Sequence, residues 1–137
     1  MPVYDTALFE PPAPLARVTL RNPDTGAAWA DVAMLLDSGA DVTLIPQTAV
    51  DQLGVVIAPD RHYELMGFDG SISLAPVVRL ELTFCRRIFR GQFLLIDQAW
   101  GILGRNILNA VPLLLDGPRL SWDEYRSADT CHAPSLT

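Results

Sequence analysis

Asp37 is carried into a turn by an apolar run, Met34-Leu35-Leu36. Ser38, Gly39, Ala40 and Asp41 follow at once, and a second apolar run (Val42, Leu44, Ile45) leads away to Pro46. A carboxylate wedged between two buried strands costs free energy unless it is paired or hydrogen-bonded. A Ser-Gly-Ala turn must therefore supply hydrogen bonds, or the charge must have a use, and the use a positioned carboxylate serves best is proton transfer. Nothing else in the chain repeats the pattern. Asp69-Gly70-Ser71 has the wrong order, and Asp116-Gly117-Pro118 lacks the hydroxyl.

The other reactive residue types point to no competing chemistry. His62 and His132 are the only histidines and have no ligand spacing, so no metal site is expected. Cys85 and Cys131 form no disulfide framework and are read as free thiols in a reducing, cytoplasmic compartment. No glycine-rich phosphate loop or dinucleotide fingerprint is present. A net charge of −6 argues against nucleic acid as a partner, and the cluster Arg86, Arg87 and Arg90 is read as a solvated hairpin end. Trp29, Trp100 and Trp122 are spaced for packing, not for base stacking, and Asp51 is most simply solvated. No apolar run approaches the roughly 20 residues that span a bilayer, and no secretory leader is visible at Met1-Pro2-Val3.

Leu35-Leu36-Asp37-Ser38-Gly39-Ala40-Asp41 resembles the active-site loop of the retropepsin-like aspartic proteases: two apolar residues, Asp, Thr or Ser, Gly, Ala. Downstream, Ile102-Leu103-Gly104-Arg105-Asn106-Ile107-Leu108 is similar to that family's apolar-apolar-Gly-Arg-(Asn/Asp)-apolar-Leu segment. The resemblance extends from Leu15 to Asp123 and points to a cellular or bacterial member. It implies an all-β fold, a closed β-barrel with one or two short helices and a flap hairpin. It also implies an aspartic endopeptidase that needs no cofactor and takes a peptide or protein substrate.

Hydrolysis of that kind uses two carboxylates sharing one proton, one taking a proton from water while the other donates to the scissile carbonyl. A chain with a single copy must then work as a homodimer, with Asp37 beside its own mate on a two-fold axis. Ser38 would hydrogen-bond across the axis, and Gly39 would let backbone approach the carboxylates. By the same resemblance Ala40 and Asp41 contact substrate backbone. Arg105 forms an ion pair with Asp41 that braces the loop, Asn106 matches in the same segment, and the flap residues Gly67, Phe68, Asp69 and Gly70 close over the substrate.

Three features depart from the family. Ser38 replaces the commoner Thr, Phe68 and Asp69 stand in a tip that is glycine-rich in viral members, and the C-terminal hairpin Leu113 to Trp122 is longer, as in the cellular ubiquitin-pathway relatives. The alternative is a binding or dimerisation module that keeps this fold without useful proteolysis.

Around these residues the pattern predicts one domain over residues 15–126, after an irregular proline-rich arm (1–14) and before a frayed tail (127–137). Half of the residues are apolar and 19% are charged, as in an ordinary globular chain. Val18 and Leu20 alternate with polar neighbours, and Asn22 to Gly26 is a turn cluster, so Leu15 to Leu36 reads as a hairpin ending at Asp37. Pro46 to Leu53 reads as a short helix stopped by Gly54, and Val55 to Ile57 as a short strand. Tyr63 to Ala75 is the flap hairpin. A strand from Val78 to Phe84 turns at Arg86-Arg87 and returns as Ile88 to Ile96. Gly104 to Ala110 is a second helix, and Val111 to Leu115 and Leu120 to Trp122 form a last hairpin.

Overall fold

The computed structural model of the chain describes residues 2–55, 57–66 and 70–126. Strands β1 (Tyr4–Asp5), β2 (Ala13–Arg21), β3 (Ala28–Leu36) and β4 (Leu44–Pro46) precede helix α1 (Gln47–Leu53). Strands β5 (Ile57–Met66), β6 (Ile72–Phe84), β7 (Arg87–Ile96) and β8 (Gly101–Leu103) precede α2 (Arg105–Leu108). A hairpin of β9 (Leu113–Asp116) and β10 (Ser121–Glu124), joined by a 3-10 turn (Gly117–Arg119), follows.

Eight strands form one sheet in the order β1-β2-β3-β8-β4-β7-β6-β5, and β2 pairs a second time, with β6. That extra pairing, Thr19 to Arg21 against Glu81 to Thr83, closes β2, β3, β8, β4, β7 and β6 into a ring of hydrogen-bonded strands. The all-β expectation with two short helices is met, and the expected barrel takes the form of this ring. Closure follows from alternation, because every second residue of β2, β3 and β6 is apolar and a sheet curled on itself buries them together. Val18, Leu20, Val32, Met34, Leu80, Leu82, Phe93 and Leu103 fill the interior with Ile45, Val50 and Ile107. Each such side chain contributes on the order of 1.5–3 kcal/mol by leaving water. A smaller cluster, Leu44, Ala75, Val77 and Leu94, packs separately on the β4–β7–β6 side.

The first hairpin forms as its alternation predicts. In α1, Ala49, Val50 and Leu53 are buried and Gly54 caps the end at φ 64°. Pro46 ends β4 and sits just before the first turn, where its missing N–H leaves no helical bond unmade. The second helix is shorter than the 104–110 expected: past Leu108 the bonds tighten to Ala110 N–H on the Ile107 carbonyl and Val111 N–H on that of Leu108.

Other differences have local causes. Residues 1–14, expected to be irregular, join the sheet at both ends. Val3 bridges Ser121, Tyr4 N–H donates to the Leu120 carbonyl (2.8 Å), Trp122 N–H donates to that of Pro2 (3.1 Å), and β1 pairs with Ala13 and Pro14. Prolines still accept hydrogen bonds, and on an edge their missing donor costs little. Pro76 likewise fails to divide β6, which runs unbroken and pairs with β5 as far as Met66 opposite Ile72. Of the short strand expected over 55–57, Ile57 is paired, as the start of β5, Val55 is not in a strand, and Val56 lies outside the described residues. The β6–β7 reversal comes one residue earlier than Arg86-Arg87, at Cys85-Arg86, with φ of 50° and 64°. The expected tail, 127–137, lies outside the described residues.

Candidate active site

Strands β3 and β4 are consecutive in sequence but not adjacent. β8 lies between them, parallel to β3 (Leu35 opposite Ile102, Leu36 opposite Leu103) and antiparallel to β4 at Leu44. Residues 37–43 must therefore cross over the end of β8. At the crossing a Cβ on Gly104 would overlap the Val42 backbone carbonyl, so only glycine admits the loop there. The loop is anchored where it starts, by Asp37 N–H on the Leu103 carbonyl at 3.0 Å.

From that anchor the chain turns tightly. Ala40 N–H returns to the Asp37 carbonyl (3.1 Å), and Gly39 N–H donates to Asp37 Oδ1 (3.0 Å). A Cβ at Gly39 would stand 3.2 Å from that same oxygen, which explains a small residue two places past the acid. Asp37 is half-buried, held by backbone rather than by a cation, while Ser38 and Asp41 are exposed. A carboxylate fixed by an N–H on one oxygen keeps the other available for a proton or a water.

The two sequence motifs meet in space. Arg105 N–H donates to the Ala40 carbonyl (2.8 Å), and Arg105 Nη1 donates to the Ser38 carbonyl (2.7 Å). The expected Arg105–Asp41 ion pair is not formed. The guanidinium braces the loop through a backbone carbonyl instead, and among the described residues Asp41 has no cationic partner. Asn106 does join the support: its Oδ1 accepts from Thr43 Oγ1 at 2.7 Å.

Thr43 was not singled out by the sequence. It is 1% exposed, and its hydroxyl also accepts the Gly104 N–H at 3.1 Å, so one side chain ties the outgoing end of the loop to the start of α2. The signal available was a lone hydroxyl between Val42 and Leu44 in an otherwise apolar run, where a polar group must be satisfied to be buried.

The flap expectation is described in part. β5 and β6 pair antiparallel toward the tip, Leu65 opposite Ser73 and Met66 opposite Ile72. Gly70 is described and exposed; Gly67, Phe68 and Asp69 lie outside the described residues. A hollow of about 210 Å³ lies beside the loop, lined by Val42, Thr43, Val77, Gln92, Leu94 and Asn106. Larger hollows lie elsewhere, and two of them, of about 500 and about 660 Å³, both touch Pro2, Cys85 and Trp122 along the terminal hairpin. Volume and chemistry thus point to different places, and the hydrogen-bonded carboxylate decides for the Asp37 loop. Among the described residues no group of three His, Cys, Asp or Glu could hold a metal ion, and no helix is long and apolar enough to cross a membrane.

No family model matches the chain, and no curated protein matches it. Among solved structures it is similar to the EIAV protease complexed with the inhibitor HBY-793, at 20% identity and a TM-score of 0.54, over 77% of this chain and 91% of that one. At that identity the likeness speaks to architecture, and the conclusion it carries is that this chain has the retropepsin-like fold.

Proposed function

We propose that the protein is an aspartic endopeptidase that works as a homodimer, with one Asp37 from each copy forming the catalytic pair. The observation that carries this reading is the Asp37 turn itself: a carboxylate held by Gly39 N–H at 3.0 Å, on a loop latched by Arg105 and Thr43, within a retropepsin-like fold. Two such carboxylates facing each other across a two-fold axis cannot both ionise, so the pair keeps one proton. The charged member takes a proton from water while the protonated one donates to the scissile carbonyl, and the water oxygen attacks the carbonyl carbon.

An extended peptide would lie between the loops and the β5–β6 hairpin, bonding through its backbone like an added strand. Ala40, Asp41 and the tip residues 67–70 would contact it, with the exposed Asp41 carboxylate, which has no cationic partner among the described residues, as an acceptor. Ser38 would reach the other copy. The free Cys85 thiol agrees with a reducing, cytoplasmic setting, and the long terminal hairpin with a cellular or bacterial member of the family.

The test is cleavage of a diverse peptide pool from about pH 3 to about pH 7, read by mass spectrometry, for wild type and Asp37→Asn. The expected outcome is cutting that rises faster than linearly with protein concentration and vanishes in Asp37→Asn. A confirmed dimer that cuts nothing across that range leaves a binding module on the same fold.

A further inference from the structure

Asp31 stands in left-handed backbone, at φ 59°, which is costly for a residue with a side chain. The cause is a bulge. Between the pairs Val18–Val32 and Leu20–Trp29, β3 carries Ala30 and Asp31 where β2 carries Thr19 alone. Glycine is the usual occupant of a left-handed bulge position, and bulges recur beside sites because they re-aim a side chain. Strain of this kind persists where the side chain has a use.

The bulge borders a hollow of about 270 Å³ between β3 and α1, whose walls include Arg17, Trp29, Asp31, Thr48 and Gln52. Trp29 is 44% exposed, so its ring offers an apolar face to whatever enters. Thr48 and Gln52 lie one helical turn apart on α1 and line the same side. Arg17 pairs with Ala33, two residues along from Asp31, so its backbone is a diagonal neighbour of Asp31, roughly 7–8 Å away. Yet the two side chains form no ion pair. Among the described residues neither these two nor Thr48 and Gln52 make any side-chain hydrogen bond. Arg21, on the same strand as Arg17, shows the ordinary outcome: it holds Glu81 at 2.8 Å. The hollow thus keeps a guanidinium and a carboxylate apart, with an open indole beside them.

We propose that this hollow binds a free α-amino acid with an apolar side chain. Its carboxylate lies on the Arg17 guanidinium, whose fork matches two carboxylate oxygens. Its ammonium donates to the Asp31 carboxylate and, with its remaining protons, to Thr48 Oγ1 or Gln52 Oε1. Its side chain rests on the Trp29 ring. A zwitterion brings both missing counter-charges on adjoining atoms and adds no net charge. A peptide end brings only one of the two charges, and a sugar brings neither. Asp37 follows the far end of β3, so this place is separate from the acid loop, and the proposal stands whether or not the protein cuts peptides.

The probe is L-phenylalanine, titrated into the full chain without any peptide substrate while the Trp29 indole N–H signal is followed by NMR. That signal is assigned by its loss in Trp29→Phe. A saturable shift is expected. Phenylpropionate and phenethylamine, which each lack one of the charges, and glucose should all bind at least about tenfold more weakly. Arg17→Gln and Asp31→Gly should each weaken phenylalanine binding about tenfold or more. Glycine suits the backbone at position 31, so Asp31→Gly should keep or raise Tm, and its lost binding is then not lost folding. No saturable shift up to about 20 mM phenylalanine, equal binding of a singly charged analogue or of glucose, or unchanged binding in both variants overturns the proposal.

Discussion

Thr43 concentrates in one hydroxyl what the loop needs at its outgoing end, accepting from Gly104 N–H and donating to Asn106 Oδ1. Thr43→Val keeps the shape and removes both bonds, leaving a buried N–H and an amide oxygen without their partner. The expected loss is about 1–3 kcal/mol of stability, with a larger proportional loss in kcat than in KM because the acid loop is held less firmly. Thr43→Ser restores the hydroxyl and should recover most of both; urea titration and steady-state cleavage check the pair. At this scale the sequence told a good deal about the acid and little about its support. Asp37, Gly39, Arg105 and Asn106 sit in contiguous motifs. Thr43 acts through residues 61 and 63 positions away, and such pairings become visible only when the chain is folded. The same holds for Arg105, whose guanidinium takes a carbonyl rather than Asp41: residue type predicts that a cation braces the loop, not which oxygen it chooses.

Strand and helix positions were legible where periodicity or punctuation was strong. The alternation of 15–36, the Pro46 to Gly54 bracket around α1 and the Asp116-Gly117-Pro118 reversal all stand. β8 was harder, because three residues are too few to show a period, yet it is the strand that separates β3 from β4 and forces the crossing. The Cys85-Arg86 turn was missed by one residue for a related reason: two-residue reversals between twisted strands favour Asn-Gly, and this one carries neither. Both residues occupy left-handed backbone at positive φ, a conformation costly for side-chain-bearing residues. Arg86→Gly is therefore expected to stabilise the protein by about 0.5–1 kcal/mol, seen as a rise in Tm. The Arg86–Glu124 contact it gives up is long, 3.6 Å, with its guanidinium in solvent, and is worth little, while Arg87 still holds Glu124 at 2.8 Å.

Across the whole molecule, the ring closes where β2 meets β6, and a charged ladder lies over the closure. Glu81 on β6 receives Arg90 Nε of β7 at 2.7 Å and Arg21 Nη1 of β2 at 2.8 Å. These two guanidinium groups, Arg90 first, hold its carboxyl below the ordinary glutamate range. The folded state thus binds the proton less readily than the unfolded chain. The contribution of Glu81 is complete above the ordinary range and is lost as pH falls through the lowered folded value. Glu81→Gln should flatten the acid side of the stability curve, measured as urea midpoints from about pH 7 to about pH 3, while leaving its neutral side slightly lower.

The crossing of the acid loop over β8 also orders events in time. Asp37, Ser38 and Thr43 take their partners from Leu103 to Asn106, with the Arg105–Ser38 bond spanning 67 residues. A chain emerging N-terminus first has its aspartate early and the residues that aim it late. On the function proposed above, a chain still being made has no braced acid loop until the segment through Asn106 has emerged, so cutting must wait for it.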